Sequence, residues 1–139
     1  MKTQNKIPIF FTIDNSYAPY ISVAIKSIIE NASKQYNYKI IVLYQELSEE
    51  NINKISSLST NEFEIEFKYM KDGLESITDR VENRLRCDYF TLTIYFRLFI
   101  PDMFPEYDKG IYIDSDIVVP GDISELYNTD LADNLIGAV

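Results

Sequence analysis

Two runs of β-branched and aromatic residues, "IPIFFTI" (Ile7 to Ile13) and "YKIIVLY" (Tyr38 to Tyr44), are too continuously apolar to form strands with one wet face. A strand with a wet face alternates. One covered on both sides does not, and that cover is the condition of a parallel sheet layered by helices. Helical patterns follow each run, where parallel crossovers need them. "YAPYISVAIKSIIENAS" has an apolar stripe at Ile21, Ala24, Ile25, Ile28 and Ile29, which predicts a helix from Tyr17 to Ser33. "LSEENINKISSLS" offers Ser48 as N-cap and places Glu49 and Glu50 in a first turn, where negative charge suits the helix dipole. The chain is therefore expected to be α/β, with a mostly parallel central sheet and helices on both faces.

The remaining patterns fill in that scheme. "FEIEFKYM" alternates apolar and charged residues, as an outer strand of the same sheet would. Lys71 to Asp88 is charged and weakly patterned and predicts a short helix between loops, and "YFTLTIYFRLFIPDMFPEY" predicts an aromatic-rich helix ending near Pro101 and Pro105. "KGIYI" is expected to be a strand, "IVV" a short extended piece cut off at Pro120, "DISELYN" a brief helix and the final "NLIGAV" another strand. A chain stopping inside its own sheet is expected to be the front half of something longer.

At 139 residues the chain suits one domain, which at this size buries about two-thirds of the surface exposed on unfolding. A hydrophobic content of 46% with 25% charged residues excludes a disordered tail. Thirteen basic residues against 22 acidic ones give a net charge of -9, a field that repels polyanions and excludes nucleic acid as the main partner. An anionic ligand would need a local cation or a helix N-terminus. The sequence has no histidine, so the commonest transition-metal ligand and general base is missing and no zinc site is expected. Cys87, the single cysteine, cannot pair internally and fits a reducing compartment. It is expected to be a packing residue, although neighbouring Arg86 can lower its pKa. The N-terminal apolar run is too short for a signal peptide, and no segment approaches the ~20 apolar residues of a membrane span. A cytoplasmic location is expected.

The candidate chemistry centres on "GIYIDSDIVV", where Asp114 and Asp116 follow an apolar strand. In extended chain, residues i and i+2 point to one side, about 6.6 Å apart. Two carboxylates so placed repel each other unless a cation lies between them. Hard oxygen ligands select magnesium, manganese or calcium, and magnesium is commonly held by one or two carboxylates together with substrate phosphates. The plainer role for the pair is capping a turn. Asp14 also follows a strand, and in parallel sheets ligands bind at the carboxyl ends of strands, so Asp14, Asp114 and Asp116 are expected at one edge. Asp14 can cap the following helix or accept a hydrogen bond from a base or sugar. Arg97, a lone cation in "TIYFRLF", either lies along the surface with its stem on the core or contacts phosphate. Tyr89, Phe90, Tyr95 and Phe96 are expected to be core residues.

"IPIFFTIDNSYAPYISVAIKSIIENA" and "TIYFRLFIPDMFPEYDKGIYIDSDIVVPGDISELYNTDLADNLIGAV", in that order, resemble the N-terminal half of glycosyltransferase family 8. These are retaining enzymes of the GT-A fold that include lipopolysaccharide galactosyl- and glucosyltransferases and glycogenin. The resemblance implies that residues 1–139 form the donor-binding half of a GT-A domain that transfers a hexose from UDP-glucose or UDP-galactose to a saccharide or glycolipid acceptor. It also implies a cytoplasmic protein, or one peripheral to the inner face of the membrane at full length. Asp114 and Asp116 would hold Mn2+ or Mg2+ against the UDP diphosphate, and Asp114 with Ser115 would touch the ribose. Thr12, Ile13 and Asp14 match the uracil- and ribose-binding loop, with Ser16 standing where relatives often have asparagine. Arg97 matches an arginine that reaches the donor phosphate and sugar, and Phe90 falls near a residue flanking the uridine. Family members usually complete the metal shell with a histidine from the C-terminal half.

Two other readings accompany this one. "IDSDIV" also fits the first motif of haloacid dehalogenase-type phosphatases, with Asp114 as nucleophile and Asp116 as general acid, although that motif normally opens its domain. The other is a truncated, non-catalytic domain that keeps the fold and a nucleotide affinity.

Overall fold

The computed structural model of the chain describes residues 6–70 and 96–138. Four strands, β1 (Lys6–Ile13), β2 (Asn37–Tyr44), β3 (Phe63–Tyr69) and β4 (Ile111–Tyr112), form one sheet in the order β3-β2-β1-β4, with every neighbouring pair parallel. The two runs without polar alternation, β1 and β2, are the central strands. The alternating "FEIEFKY" is the edge strand β3, and its charges lie along one face of the ladder. Lys39 on β2 bonds Glu66 at 2.6 Å and Glu64 at 3.5 Å, and Lys6 on β1 reaches Glu64 at 2.6 Å. Hydrogen bonding to Glu66 raises the Lys39 pKa, while Lys6 holds that of Glu64 down.

Helices cover both faces as expected. On one face α1 (Ala18–Asn31), α2 (Glu49–Ser56) and α4 (Ile123–Tyr127) bury Ile21, Ala24, Ile25, Ile28, Ile55 and Ile123 against Ile7, Ile9, Phe11 and Ile13 of β1. The expected Tyr17 to Ser33 helix begins as a 3-10 turn at Asn15–Tyr17 and becomes α-helical only at Ala18. Ser48 caps α2 by accepting from the Asn51 N–H at 3.2 Å. On the opposite face Phe10, Ile41 and Leu43 pack with Met70, Phe96 and Phe104. Phe96 is therefore core, and it leads into a 3-10 turn at Arg97–Phe99 and the short helix α3 (Ile100–Met103). The helical stretch ends between the two prolines. Pro101 opens the first turn of α3, where a missing N–H costs nothing. The helix expected between Lys71 and Asp88 lies outside the described residues, as do Cys87, Tyr89, Phe90 and Tyr95.

β4 is only two residues long, paired as Ile9 with Ile111 and Phe10 with Tyr112, although the Ile113 N–H adds one more bond to the Phe10 carbonyl at 3.1 Å. That bond shows that Phe10 turns its backbone groups toward β4, and so does every second residue, Pro8 included. Proline is tolerated in this central strand because β4 pairs only from Ile9 onward and asks for no N–H at Pro8. Gly110 allows the close approach of β4, since a Cβ there would lie 2.7 Å from the Phe10 ring.

The expected strand in "NLIGAV" is not formed within the described residues. Leu135 and Ile136 are 97% and 83% exposed. A turn precedes them in which the Asp130 carboxylate accepts from the Ala132 N–H at 2.8 Å and Ala132 takes a positive φ of 49°. Among the described residues this segment pairs with no strand, and apolar residues without a neighbouring strand have no ladder to join.

Three polar contacts fix the segment after β4 to α1 and to the residues just after it. Val119 N–H donates to Ser27 Oγ at 2.9 Å, Asn31 Nδ2 donates to the Val119 carbonyl at 3.1 Å, and Ser33 N–H donates to Asp122 Oδ1 at 2.9 Å. Asp122 also caps α4 through the Ser124 N–H at 3.0 Å and accepts the Ser124 hydroxyl at 2.8 Å. Burial works to raise its pKa, but these donors outweigh it and hold the carboxyl below its ordinary 3.8. Asp122→Ala should cost about 1–2 kcal/mol by orphaning two backbone donors. Because the folded pKa is the lower one, this stabilisation is complete above 3.8 and is lost as pH falls through the folded value. Thermal melts should separate wild type from the variant at pH 7 and bring them together in acid.

Candidate functional site

Parallel pairing sets the carboxyl ends of β1 and β4 side by side, and the candidate residues from distant parts of the sequence meet there. Ile13 is buried on the α1 side and can offer a ligand only its backbone. Thr12 lies on the other face, where its Oγ1 is 2.9 Å from the Tyr112 hydroxyl. Asp14 leaves the strand with extended backbone angles, and its Oδ1 accepts from the N–H groups of Ser16 at 2.8 Å and Tyr17 at 3.3 Å. The capping role is thus real. It engages one carboxylate oxygen and leaves Oδ2 with no partner among the described residues, so capping and ligand contact are compatible.

The loop after β1 is fixed from outside. Asn15 Oδ1 accepts from the Ser48 N–H at 2.8 Å and from Asn51 Nδ2 at 3.1 Å, tying the loop to the start of α2. Ser16 is exposed. Tyr17 and, in the first turn of α1, Tyr20 are exposed as well, with ring centroids 5.7 Å apart and planes tilted by 50°.

Beyond β4, Asp114 is exposed, Ser115 is buried at 5% exposure and Asp116 is exposed. That alternation turns both carboxylates outward and the serine side chain inward. Among the described residues neither carboxylate joins an ion pair or accepts a side-chain or backbone hydrogen bond. Two exposed, like-charged oxygen donors without a partner among the described residues form a donor set suited to a hard divalent cation. No group of three or more His, Cys, Asp or Glu residues able to hold a metal occurs among the described residues, so this pair supplies at most two anionic ligands.

Arg97 arrives from the 3-10 turn before α3. Its guanidinium carbon stands 5.9 Å from the centroid of the Tyr112 ring, which brings the cation to the same sheet end as Asp114. Tyr112 is the residue that sequence reasoning missed. Burial raises its phenol pKa, the Thr12 hydrogen bond and Arg97 work against that rise, and the charge of Asp114 adds to it. Strand alternation does place Tyr112 on the face opposite Ile111 and Ile113. Nothing in the letters shows which hydroxyl or cation it meets. Phe90 lies outside the described residues.

Residues 8–139 match the family described as Glycosyl transferase family 8. The chain belongs to this family. A Haemophilus influenzae relative is 30% identical over 130 residues, which are 94% of this chain and 38% of that protein. The WbbM bifunctional glycosyltransferase superposes with a TM-score of 0.77 at 34% identity, over 95% of this chain and 22% of that one. The galactosyltransferase LgtC, solved in complex with donor and acceptor sugar analogs, gives 0.76 at 28% identity, over 92% of this chain and 44% of its own. This family 8 chain therefore spans less than half the length of each of these relatives, and its parallel sheet with flanking helices is of the GT-A type they share. Membership displaces the phosphatase reading of "IDSDIV", in which Asp114 would be a nucleophile. Among the described residues no helix is long and apolar enough to cross a membrane.

Proposed function

We propose that the chain is the donor-binding part of a metal-dependent, retaining hexosyltransferase that takes UDP-glucose or UDP-galactose and serves a saccharide or glycolipid acceptor. The observation that carries this reading is one sheet end of a family 8 chain that holds two exposed carboxylates, with no partner among the described residues, and an exposed arginine. The solved LgtC complex, with its donor and acceptor sugar analogs, supports the substrate class.

Asp114 and Asp116 would hold Mn2+ or Mg2+, and the ion would supply positive charge to a diphosphate leaving group. The protein's own residues do the rest. Arg97 donates to phosphate oxygens and offsets charge that grows as the glycosidic bond to the diphosphate breaks, an electrostatic role. Asp14 Oδ2 accepts from a nucleoside N–H or O–H while Oδ1 keeps the loop closed. Thr12 and the backbone of Ile13 line that end of β1, and Ser16 stands on the rim. Ser115 is buried, so its contact with a ribose would run through the backbone.

Calorimetry with UDP tests the reading. Binding is expected with manganese and should weaken at least tenfold after chelation, because an acidic chain has little else to offset a diphosphate's charge. Equal UDP binding with and without the metal would overturn the metal-dependent part, and no binding under either condition would overturn the donor site.

A further inference from the structure

Tyr112 pairs with Phe10 across the β1–β4 ladder and points to the face that carries Thr12. On that face the next residue of β1 beyond Phe10 is Thr12, within reach of a side chain as long as tyrosine. The hydroxyl of Tyr112 meets Thr12 Oγ1 at 2.9 Å. Its ring, half-buried against the Phe10 cluster, turns a face to Arg97, whose guanidinium carbon is 5.9 Å from the centroid. That is inside the ~6 Å over which an aromatic quadrupole holds a cation. Arg97 is exposed, sits on a single 3-10 turn and pairs with no described carboxylate, so this ring is the partner that the described structure gives it. A long cation in that situation otherwise samples many rotamers, and each one frozen on binding costs affinity.

We propose that Tyr112 is a positioning residue whose hydroxyl anchors it on Thr12 and whose ring holds Arg97, so that the phosphate-facing cation is aligned before a ligand arrives. This rests on the donor site proposed above. Tyr112 itself touches no phosphate. Its substitution should therefore matter for ligands that carry a diphosphate and hardly at all for the nucleoside.

The test compares UDP and uridine, each with manganese, on wild type, Tyr112→Leu, Tyr112→Phe, Arg97→Ala and the Arg97→Ala/Tyr112→Leu double variant. Tyr112→Leu should weaken UDP about tenfold and uridine less than about twofold, while Tyr112→Phe, which keeps the ring, should stay within about threefold for both. In the Arg97→Ala background the leucine should add nothing further, the mark of two residues acting as one unit. Equal losses for UDP and uridine, or additive losses in the double variant, would overturn the proposal. A second measurement needs neither ligand nor a Tyr112 variant. The Arg97 Nε–Hε proton, assigned through Arg97→Lys, should be shifted upfield by the ring current, and an unshifted signal would overturn the proposal. Wild type that shows this shift but binds no UDP would defeat the donor site and leave the positioning contact standing.

Discussion

Asp116→Asn and Asp114→Asn should each weaken manganese-dependent UDP binding about a hundredfold while leaving the thermal midpoint unchanged. The size follows from charge. A unit pair 4 Å apart is worth about 1 kcal/mol in bulk water and about 4 kcal/mol at a partly screened protein surface, and a dication doubles both. Removing one carboxylate charge from a dication therefore costs ~2–8 kcal/mol, and an exposed site belongs near the lower end, where ~2.7 kcal/mol is a hundredfold. Asparagine keeps an oxygen that can ligate but carries no net charge. The unchanged midpoint follows from the structure, because among the described residues neither side chain accepts a bond that folding would lose. Without metal, each substitution also relieves repulsion within the pair, so melts in chelator should show equal or slightly higher stability. Calorimetry and melts on the same preparations decide the matter. Intact binding in both variants would mean that the pair is only a turn, and a large fall in stability would mean that its role is structural.

The convergence of Asp14 with Asp114 and Asp116 was legible in the sequence because each follows an apolar run, and carboxyl ends of parallel strands share an edge. That β1 and β4 are immediate neighbours was not legible, since hydropathy records burial and not strand order. The same blindness explains "NLIGAV". Its residues are as apolar as those of β1, but a strand also needs a paired neighbour, and after the Asp130–Ala132 turn Leu135 and Ile136 stand exposed with no ladder among the described residues. Asp14 shows the opposite case, where local chemistry was readable. An acidic residue before a helical turn caps it, and Asp14 does so, although the turn it caps is the 3-10 turn Asn15–Tyr17 and not α1 itself, whose N-cap Tyr17 makes no side-chain capping bond. Tyr112 and Arg97 mark the limit of such reasoning. A tyrosine in a strand and an arginine on a helical turn each have an ordinary role taken alone, and only the 5.9 Å between them makes them a pair.

Phe11→Ala should bring the chain to the edge of unfolding. Phe11 is 0% exposed in the middle of β1, on the face covered by α1. Removing a buried phenylalanine costs the transfer energy of the ring plus the cavity it leaves, about 3–5 kcal/mol, against a total stability of about 5–15 kcal/mol for a domain of this kind. In urea the midpoint should fall by about 2 M, given slopes of about 1–3 kcal/mol per molar. The effect should also reach the site. β4 is held to β1 by a ladder of two residue pairs, so its position depends on Ile111 and Ile113, which belong to the same buried cluster as Phe11. Continuing the register by one residue sets Phe11 beside Ile113, immediately before Asp114. A cavity there loosens the strand that carries both carboxylates. Phe11→Ala should therefore lose UDP affinity together with stability, and low temperature or a stabilising osmolyte should restore part of both. Phe11→Leu, which keeps most of the volume, should retain most of each. Near-wild-type unfolding of the alanine variant would show that β1 is not the centre of this core.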